Sequence, residues 1–245
     1  MKNILSISSL SIGYNKNKVL SNISLDIDQP KLITLIGRNG QGKSTLLKTL
    51  SGLIPAIDGE IFFGEKINKE LNHKEKSKLF SVVLTSPPAI NSITVKDFVA
   101  YGRYPYTNWL AQKKEEDNRQ INQAMELCGI TNFAATNIAN LSDGERQKVA
   151  LARAIAQNTP IIFLDEPTSH LDLVNQSELF DLLDQLVEKQ QKTIIISSHQ
   201  LNLALNYADE IWLINNNQLE ANTPEYFIKS GKIEALFGGL KLKYF

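Results

Sequence analysis

The 245-residue sequence carries 26 basic and 26 acidic residues, for a formal net charge of zero. Its length allows one sizeable domain, or a core with a smaller inserted unit, and the charge balance argues against nucleic acid held through a bulk field. A single cysteine, Cys128, excludes an internal disulfide and reads as buried filler in a reducing compartment. The opening MKNILSISSLSIGY is too interrupted by serine for a signal peptide, and no uncharged apolar run reaches spanning length. A cytosolic chain is expected, one that can still sit on a membrane protein.

In chain order, residues 3–10 and 19–28 alternate apolar and polar side chains as half-buried antiparallel strands do. KLITLIG (31–37) followed by STLLKTLSG gives the strand, loop and helix of a parallel α/β unit. IDGEIFF (57–63) places an Asp-Gly turn ahead of a strand. After FSVVLT (80–85), Pro87 and Pro88 break the pattern, and residues 94–157 read as mainly helical, with the charge run KKEEDNR (113–119) expected as a solvated face. Core strands return at IIFLD (161–165), TIIIS (193–197) and EIWLI (210–214), with an amphipathic helix at 178–189. The tail 221–245 has a helix-forming middle and ends in the alternating LKLKYF, which suits an edge strand.

Four stretches carry chemistry. GRNGQGKST (37–45) places Gly37, Gly42, Lys43 and Ser44 in the phosphate-loop pattern G-x-x-x-x-G-K-[ST]. The glycines let backbone N–H groups wrap phosphates, Lys43 serves as a point charge for the β- and γ-phosphates, and the Ser44 hydroxyl is a ligand for Mg²⁺. IIFLDEP (161–167) delivers Asp165 and Glu166 together at the C-terminal end of a buried strand, where ligands of open α/β sheets bind. Asp165 can hold the Mg²⁺ sphere and Glu166 can take a proton from the water that attacks the γ-phosphate. His199, just past TIIIS, can touch the same phosphate; His73 and His170 suit exposed or packing roles. LSDGERQKVALARAI (141–155) opens a helix with Ser142, Asp143 and Gly144, a second place where free N–H groups can hold an anion.

In this order these residues resemble the ATP-binding subunit of an ABC transporter, over nearly the whole chain. The resemblance implies an α/β fold, a P-loop NTPase core with an N-terminal antiparallel β subdomain and an inserted α-helical subdomain. The nucleotide-binding core would span 1–85 and 160–220, the helical subdomain 86–159 and the tail 221–245. It implies ATP and Mg²⁺ as ligands, with Arg38, Asn39, Gly40, Gln41 and Thr45 completing the nucleotide loop, and Lys43, Glu166 and His199 as the catalytic set. Tyr14 matches the aromatic on which adenine stacks, with a plain strand tyrosine as the alternative. In the family two domains pair head to tail, so Ser142, Asp143, Gly144 and Glu145 would serve a partner copy's nucleotide, and the D-loop from Ser169 to Asp172 would line the same seam.

The sequence departs from that family in two places. The usual signature LSGGQ is LSDGE here, and Asp143 is expected to face away from the phosphate or to meet a cation such as Arg146. The glutamine expected after the FSVVL strand is Thr85, too short to reach a metal unaided, so a bridging water is expected, with hydrolysis slower or more dependent on Glu166. VAYGRYPYTNW (99–109) is similar to importers of iron-siderophore, haem and cobalamin complexes, and Tyr101, Tyr104 and Tyr106 suit either core packing or a groove for a membrane subunit. The implied partners are a second copy, integral membrane permease subunits and, indirectly, a substrate-binding protein, with the chain peripheral on the cytoplasmic side of the membrane. The alternative is a soluble ABC ATPase without a membrane partner, such as the iron-sulfur assembly type; a kinase or GTPase fails on LSDGE and Glu166.

Overall fold

The computed structural model describes residues 3–85, 92–107, 112–169 and 171–237. The Pro87–Pro88 break, His170 and the LKLKYF edge strand lie outside them. In chain order the first elements are β1 (Leu5–Tyr14), β2 (Asn17–Ile27), β3 (Leu32–Ile36), α1 (Lys43–Leu50), β4 (Asp58–Phe63) and β5 (Lys66–Ile67). Then come α2 (His73–Leu79), β6 (Phe80–Val83), α3 (Val95–Ala100), α4 (Glu115–Leu127) and α5 (Asp143–Ala156). The chain continues through β7 (Ile161–Asp165), α6 (Leu173–Gln190), β8 (Thr193–Ser197), α7 (Leu201–Tyr207), β9 (Glu210–Asn215), β10 (Gln218–Asn222), α8 (Pro224–Ser230) and α9 (Lys232–Leu236).

Two sheets result. One is antiparallel with order β2-β1-β4-β5; the other runs β10-β9-β3-β8-β7-β6 and is parallel except for its β10 edge. The parallel strands read as near-continuous apolar runs, interrupted by the buried Thr34 and Ser81, because both faces of their sheet are covered. A period of two is still present inside those runs. Ile161, Phe163 and Ile195 face the core shared with the antiparallel sheet and α1, while Ile162, Leu164, Ile194 and Ile196 face a core shared with α3, α4, α5 and α6. A third cluster joins Ile36 at the end of β3 to α7, α8 and α9 through Ala204, Phe227, Ile233 and Leu236.

Two local expectations change. Asp58–Gly59, expected as a turn ahead of a strand, lies inside β4. Gly59 has a φ of +83°, and a Cβ there would sit 2.5 Å from the Ser9 carbonyl oxygen, so glycine lets β4 close on β1 where their register slips. The helix expected at 178–189 begins earlier, at Leu173, because Asp172 caps it by accepting from the Asn175 N–H at 2.8 Å.

The charge run 113–119 is exposed apart from Asp117, which turns inward. Arg103 Nε donates to Asp117 Oδ1 at 2.9 Å, Arg103 Nη1 donates to the Ala156 carbonyl at 2.9 Å, and the guanidinium lies 4.0 Å from the Tyr106 ring centroid. Burial alone would raise the Asp117 pKa, but the Lys114 N–H and the Arg103 guanidinium outweigh it and hold the carboxyl below its usual range. Asp117→Asn leaves Arg103 as an uncompensated buried cation and should cost about 3–5 kcal/mol in urea unfolding at neutral pH. A folded pKa below the unfolded value means that Asp117 stabilises fully above about pH 4. The gap between wild type and variant should therefore close as pH falls from there through the lower folded value.

Candidate functional site

The C-terminal ends of the parallel strands converge on one edge of the sheet, and the loops that leave them build the site. Between β3 and α1 the phosphate loop turns through Gly40 at φ +78° and Gly42 at φ +101°, conformations that cost a side-chain-bearing residue strain. A Cβ on Gly42 would lie 2.6 Å from Val19 Cγ1, so the β1–β2 hairpin packs directly on the loop. Lys43 Nζ donates to the Gly37 carbonyl at 2.8 Å and to that of Arg38 at 3.4 Å, folding the side chain over the loop. Its burial lowers the ammonium pKa, while the charges of Glu166 and Asp165 oppose that shift.

Ser44 Oγ donates to Asp165 Oδ1 at 2.9 Å, joining the first helical turn to the end of β7. A hydroxyl and a carboxylate side by side are hard oxygen donors of the kind that suit Mg²⁺, which keeps several waters and takes further oxygens from phosphates. Among the described residues no group of three or more His, Cys, Asp or Glu could hold a metal without such help. Glu166 follows at φ +49°, with its carbonyl accepting from the Ser169 N–H at 3.2 Å, and its Oε1 lies 2.8 Å from His199 Nε2. An ionised carboxylate only accepts, so the imidazole then donates from Nε2 and fixes the direction of the Glu166 side chain.

These parts line one cavity of about 460 Å³, formed by Asn39, Gly40, Gly42, Lys43, Ser44, Thr45, Glu166 and His199. Four residues of the expected nucleotide set do not line it: Gly37, whose carbonyl accepts from Lys43 Nζ, and Tyr14, Gln41 and Arg38. Tyr14, half exposed, ends β1 on the hairpin that touches Gly42. The Gln41 side chain accepts from the Arg38 N–H at 2.8 Å, and the Arg38 guanidinium turns away to the Leu236 carbonyl at 2.7 Å. The Thr85 hydroxyl lies 3.1 Å from both Asp165 Oδ2 and the Asp165 carbonyl oxygen, so its direct contact here is with the acid that ends β7.

The signature residues line a different cavity, of about 480 Å³. Ser142, Asp143, Gly144 and Glu145 form one wall, and Leu171, Asp172 and Asn175 face them. Ser142 caps α5, and Glu145, standing where the family has glutamine, closes a capping box by accepting from both the Ser142 N–H and its hydroxyl at 2.7 Å. Those two bonds lower the Glu145 pKa. Asp143 pairs with Arg146, as its charge requires. Cys128 is buried and its thiol is pushed up to about 12, which makes it inert filler.

Sequence reading missed Ser197, a buried serine inside a core strand. Its Oγ donates to Asp165 Oδ1 at 2.8 Å and accepts from the Glu166 N–H at 2.9 Å. The motif IISSH gave no pattern that separates it from its neighbour Ser198.

Gly42→Ala adds about 1–2 kcal/mol of backbone strain and displaces Val19, so ATP binding should weaken by roughly tenfold or more. Gly40→Ala meets no atom within 4 Å of its new Cβ and should weaken binding less. Titration with a fluorescent ATP analogue measures both.

The ABC transporter family model matches residues 20–169. The petrobactin import ATP-binding protein of Bacillus anthracis is 35% identical over 238 residues, spanning 97% of this chain and 87% of its own. The achromobactin transport ATP-binding protein of Dickeya dadantii is 37% identical over 230 residues, spanning 93% of this chain and 85% of its own. A solved metal-chelate type ABC transporter in an inward-facing conformation is similar at a TM-score of 0.83 and 30% identity, over 96% of this chain and 89% of the other. With a phosphate loop, an acidic pair and a signature helix set out in this geometry, the chain belongs to the ABC transporter family and is an ATP-hydrolysing, ATP-binding subunit of that kind.

Proposed function

We propose that this chain powers import of an iron chelate of the siderophore class, two copies closing head to tail on ATP beneath two permease subunits. One observation carries the pairing: within one chain the phosphate-loop cavity and the signature cavity share no lining residue. Each copy then supplies half of two reaction centres. Leu173 and Val174, 79% and 68% exposed immediately after Asp172, give the D-loop side an apolar surface suited to a second copy. In this reading the nucleotide-binding core (1–85 and 160–220) meets the partner's signature-bearing helical unit (86–159), with 221–245 as a tail on the core.

Within each centre Lys43 draws the terminal phosphates, Glu166 takes the proton of the attacking water, and His199 holds Glu166 in line. Ser44 and Asp165 would hold Mg²⁺, which supplies charge neutralisation for the phosphates. Loss of the shared γ-phosphate removes the contact between copies and opens the pair.

Import is supported by the curated relatives, whose names include petrobactin import, achromobactin transport and iron(3+)-hydroxamate import. No helix among the described residues is long and apolar enough to cross a membrane, which fits a peripheral seat on the cytoplasmic face. Tyr101 and Tyr104 are exposed beside that helical unit and suit contact with a permease, whereas Tyr106 is engaged by Arg103. A substrate-binding protein would deliver the chelate to the permease, and nucleic acid has no place in the scheme.

A mixing experiment tests the pairing. Lys43→Ala and Ser142→Arg should each be inactive alone, and mixed they should regain part of the ATPase rate, because a heterodimer keeps one intact centre. No recovery on mixing would refute the shared centre. Glu166→Gln should keep ATP binding, lower turnover by about 100-fold or more and accumulate an ATP-dependent dimer in size-exclusion chromatography. Uptake of radiolabelled ferric siderophore into cells that carry this chain with its permease should vanish in the same variant.

A further inference from the structure

Asp165 ends β7, and β7 lies between β8 and β6 in the sheet. A hydroxyl reaches it from each flank. Ser197, the last residue of β8, stands in register with Asp165 and donates to Oδ1 at 2.8 Å. Thr85, just beyond β6, points its hydroxyl at Oδ2 and at the carbonyl oxygen from 3.1 Å. Ser197 also accepts from the Glu166 N–H at 2.9 Å, so one buried hydroxyl touches both acids.

We propose that Ser197 and Thr85 are paired positioning residues, a two-sided hydroxyl clamp that fixes the Asp165 carboxylate for a metal and, through Ser197, the left-handed backbone of Glu166. The proposal rests on the metal and base roles assigned above to Asp165 and Glu166. Its physical basis is the looseness of a carboxylate torsion, which is broad and roughly two-fold when nothing holds the oxygens. Ser44 and Ser197 both donate to Oδ1, which leaves Oδ2 to Thr85. A short side chain therefore suffices at position 85, since it acts on the metal-binding carboxylate and has no need to reach the metal. Ser197 spends its proton on Asp165 and a lone pair on Glu166, whose φ of +49° is costly without an anchor. Outer-shell partners of this kind set ligand orientation, and their loss typically lowers metal affinity by about 10–100-fold.

The test uses the full chain with ADP and Mn²⁺, read by the electron paramagnetic resonance of bound manganese, beside ADP binding in EDTA and steady-state ATPase assays. Thr85→Val should weaken Mn²⁺ binding by roughly tenfold and leave metal-free ADP affinity unchanged, and Thr85→Ser should restore the metal. Ser197→Ala should weaken Mn²⁺ similarly and also lower kcat with little change in KM, because Glu166 loses its backbone anchor. Thermal melts identify any variant that merely unfolds. Unchanged Mn²⁺ affinity in folded Thr85→Val and Ser197→Ala would overturn the clamp, as would failure of Thr85→Ser to differ from Thr85→Val. Asp165→Asn separates the two readings: if it abolishes Mn²⁺ binding while the clamp variants do not, only the clamp fails, and if it too leaves Mn²⁺ untouched, the metal role of Asp165 fails with it.

Discussion

Keeping an ionisable carboxylate buried at the end of β7 is the constraint around which this molecule is arranged. Asp165 is 3% exposed, and an isolated charge in such a place would be expensive. The sheet meets the cost with hydroxyl donors from three directions, Ser44 from the first turn of α1, Ser197 from β8 and Thr85 from the segment just beyond β6. The Lys43 ammonium is close enough to feel both acids. Parallel pairing is what makes this possible. With β6, β7 and β8 running the same way, their C-terminal ends arrive at one edge together, and a register shift of one residue would turn each of these side chains into the opposite core.

The signature end of the molecule solves a different electrostatic problem. Two carboxylates, Asp143 and Glu145, stand at a helix N-terminus whose free N–H groups suit an anion. Glu145 is turned back on Ser142 as the second half of a capping box, and Asp143 is matched by Arg146. Both acidic residues of the signature therefore have local partners at the start of α5. Ser142 is the hinge of this arrangement in the proposed head-to-tail pair, because its hydroxyl, which meets Glu145 here, would there face a partner copy's phosphate.

Much of this was legible in the residues, where the physics leaves few choices. A phosphate loop needs glycine at positive φ, and Gly40 and Gly42 stand there; a strand covered on both faces needs a near-continuous apolar run, as in β3, β7 and β8. Legibility failed where one residue type has several uses. Asp58–Gly59 carries the signature of a hairpin turn, yet the same freedom of φ serves a close approach to Ser9 within a strand. In KKEEDNR every side chain but Asn118 is charged, and only the position of Arg103 decides that Asp117 alone goes inside. Serine in a buried strand is equally silent, so Ser197 had to wait for the register of β7 and β8. Thr85 was read by what it lacks relative to glutamine, and the distance that settles its contact belongs to the tertiary structure.

The tail shows how far support for the phosphate loop extends through the chain. Its sequence carries no motif, but α8 and α9 bury Phe227, Ile233 and Leu236 against Ile36, the residue on which β3 ends and the loop begins. Arg38, two positions later, donates its Nε proton to the Leu236 carbonyl, one of the acceptors that a helix end leaves without an internal partner. The same cluster contains Ala204 of α7, the helix that follows His199. The start of the phosphate loop and the helix beyond His199 thus lean on one small apolar body built from residues far downstream, so the loop's geometry is set as much by packing beneath it as by the glycines within it.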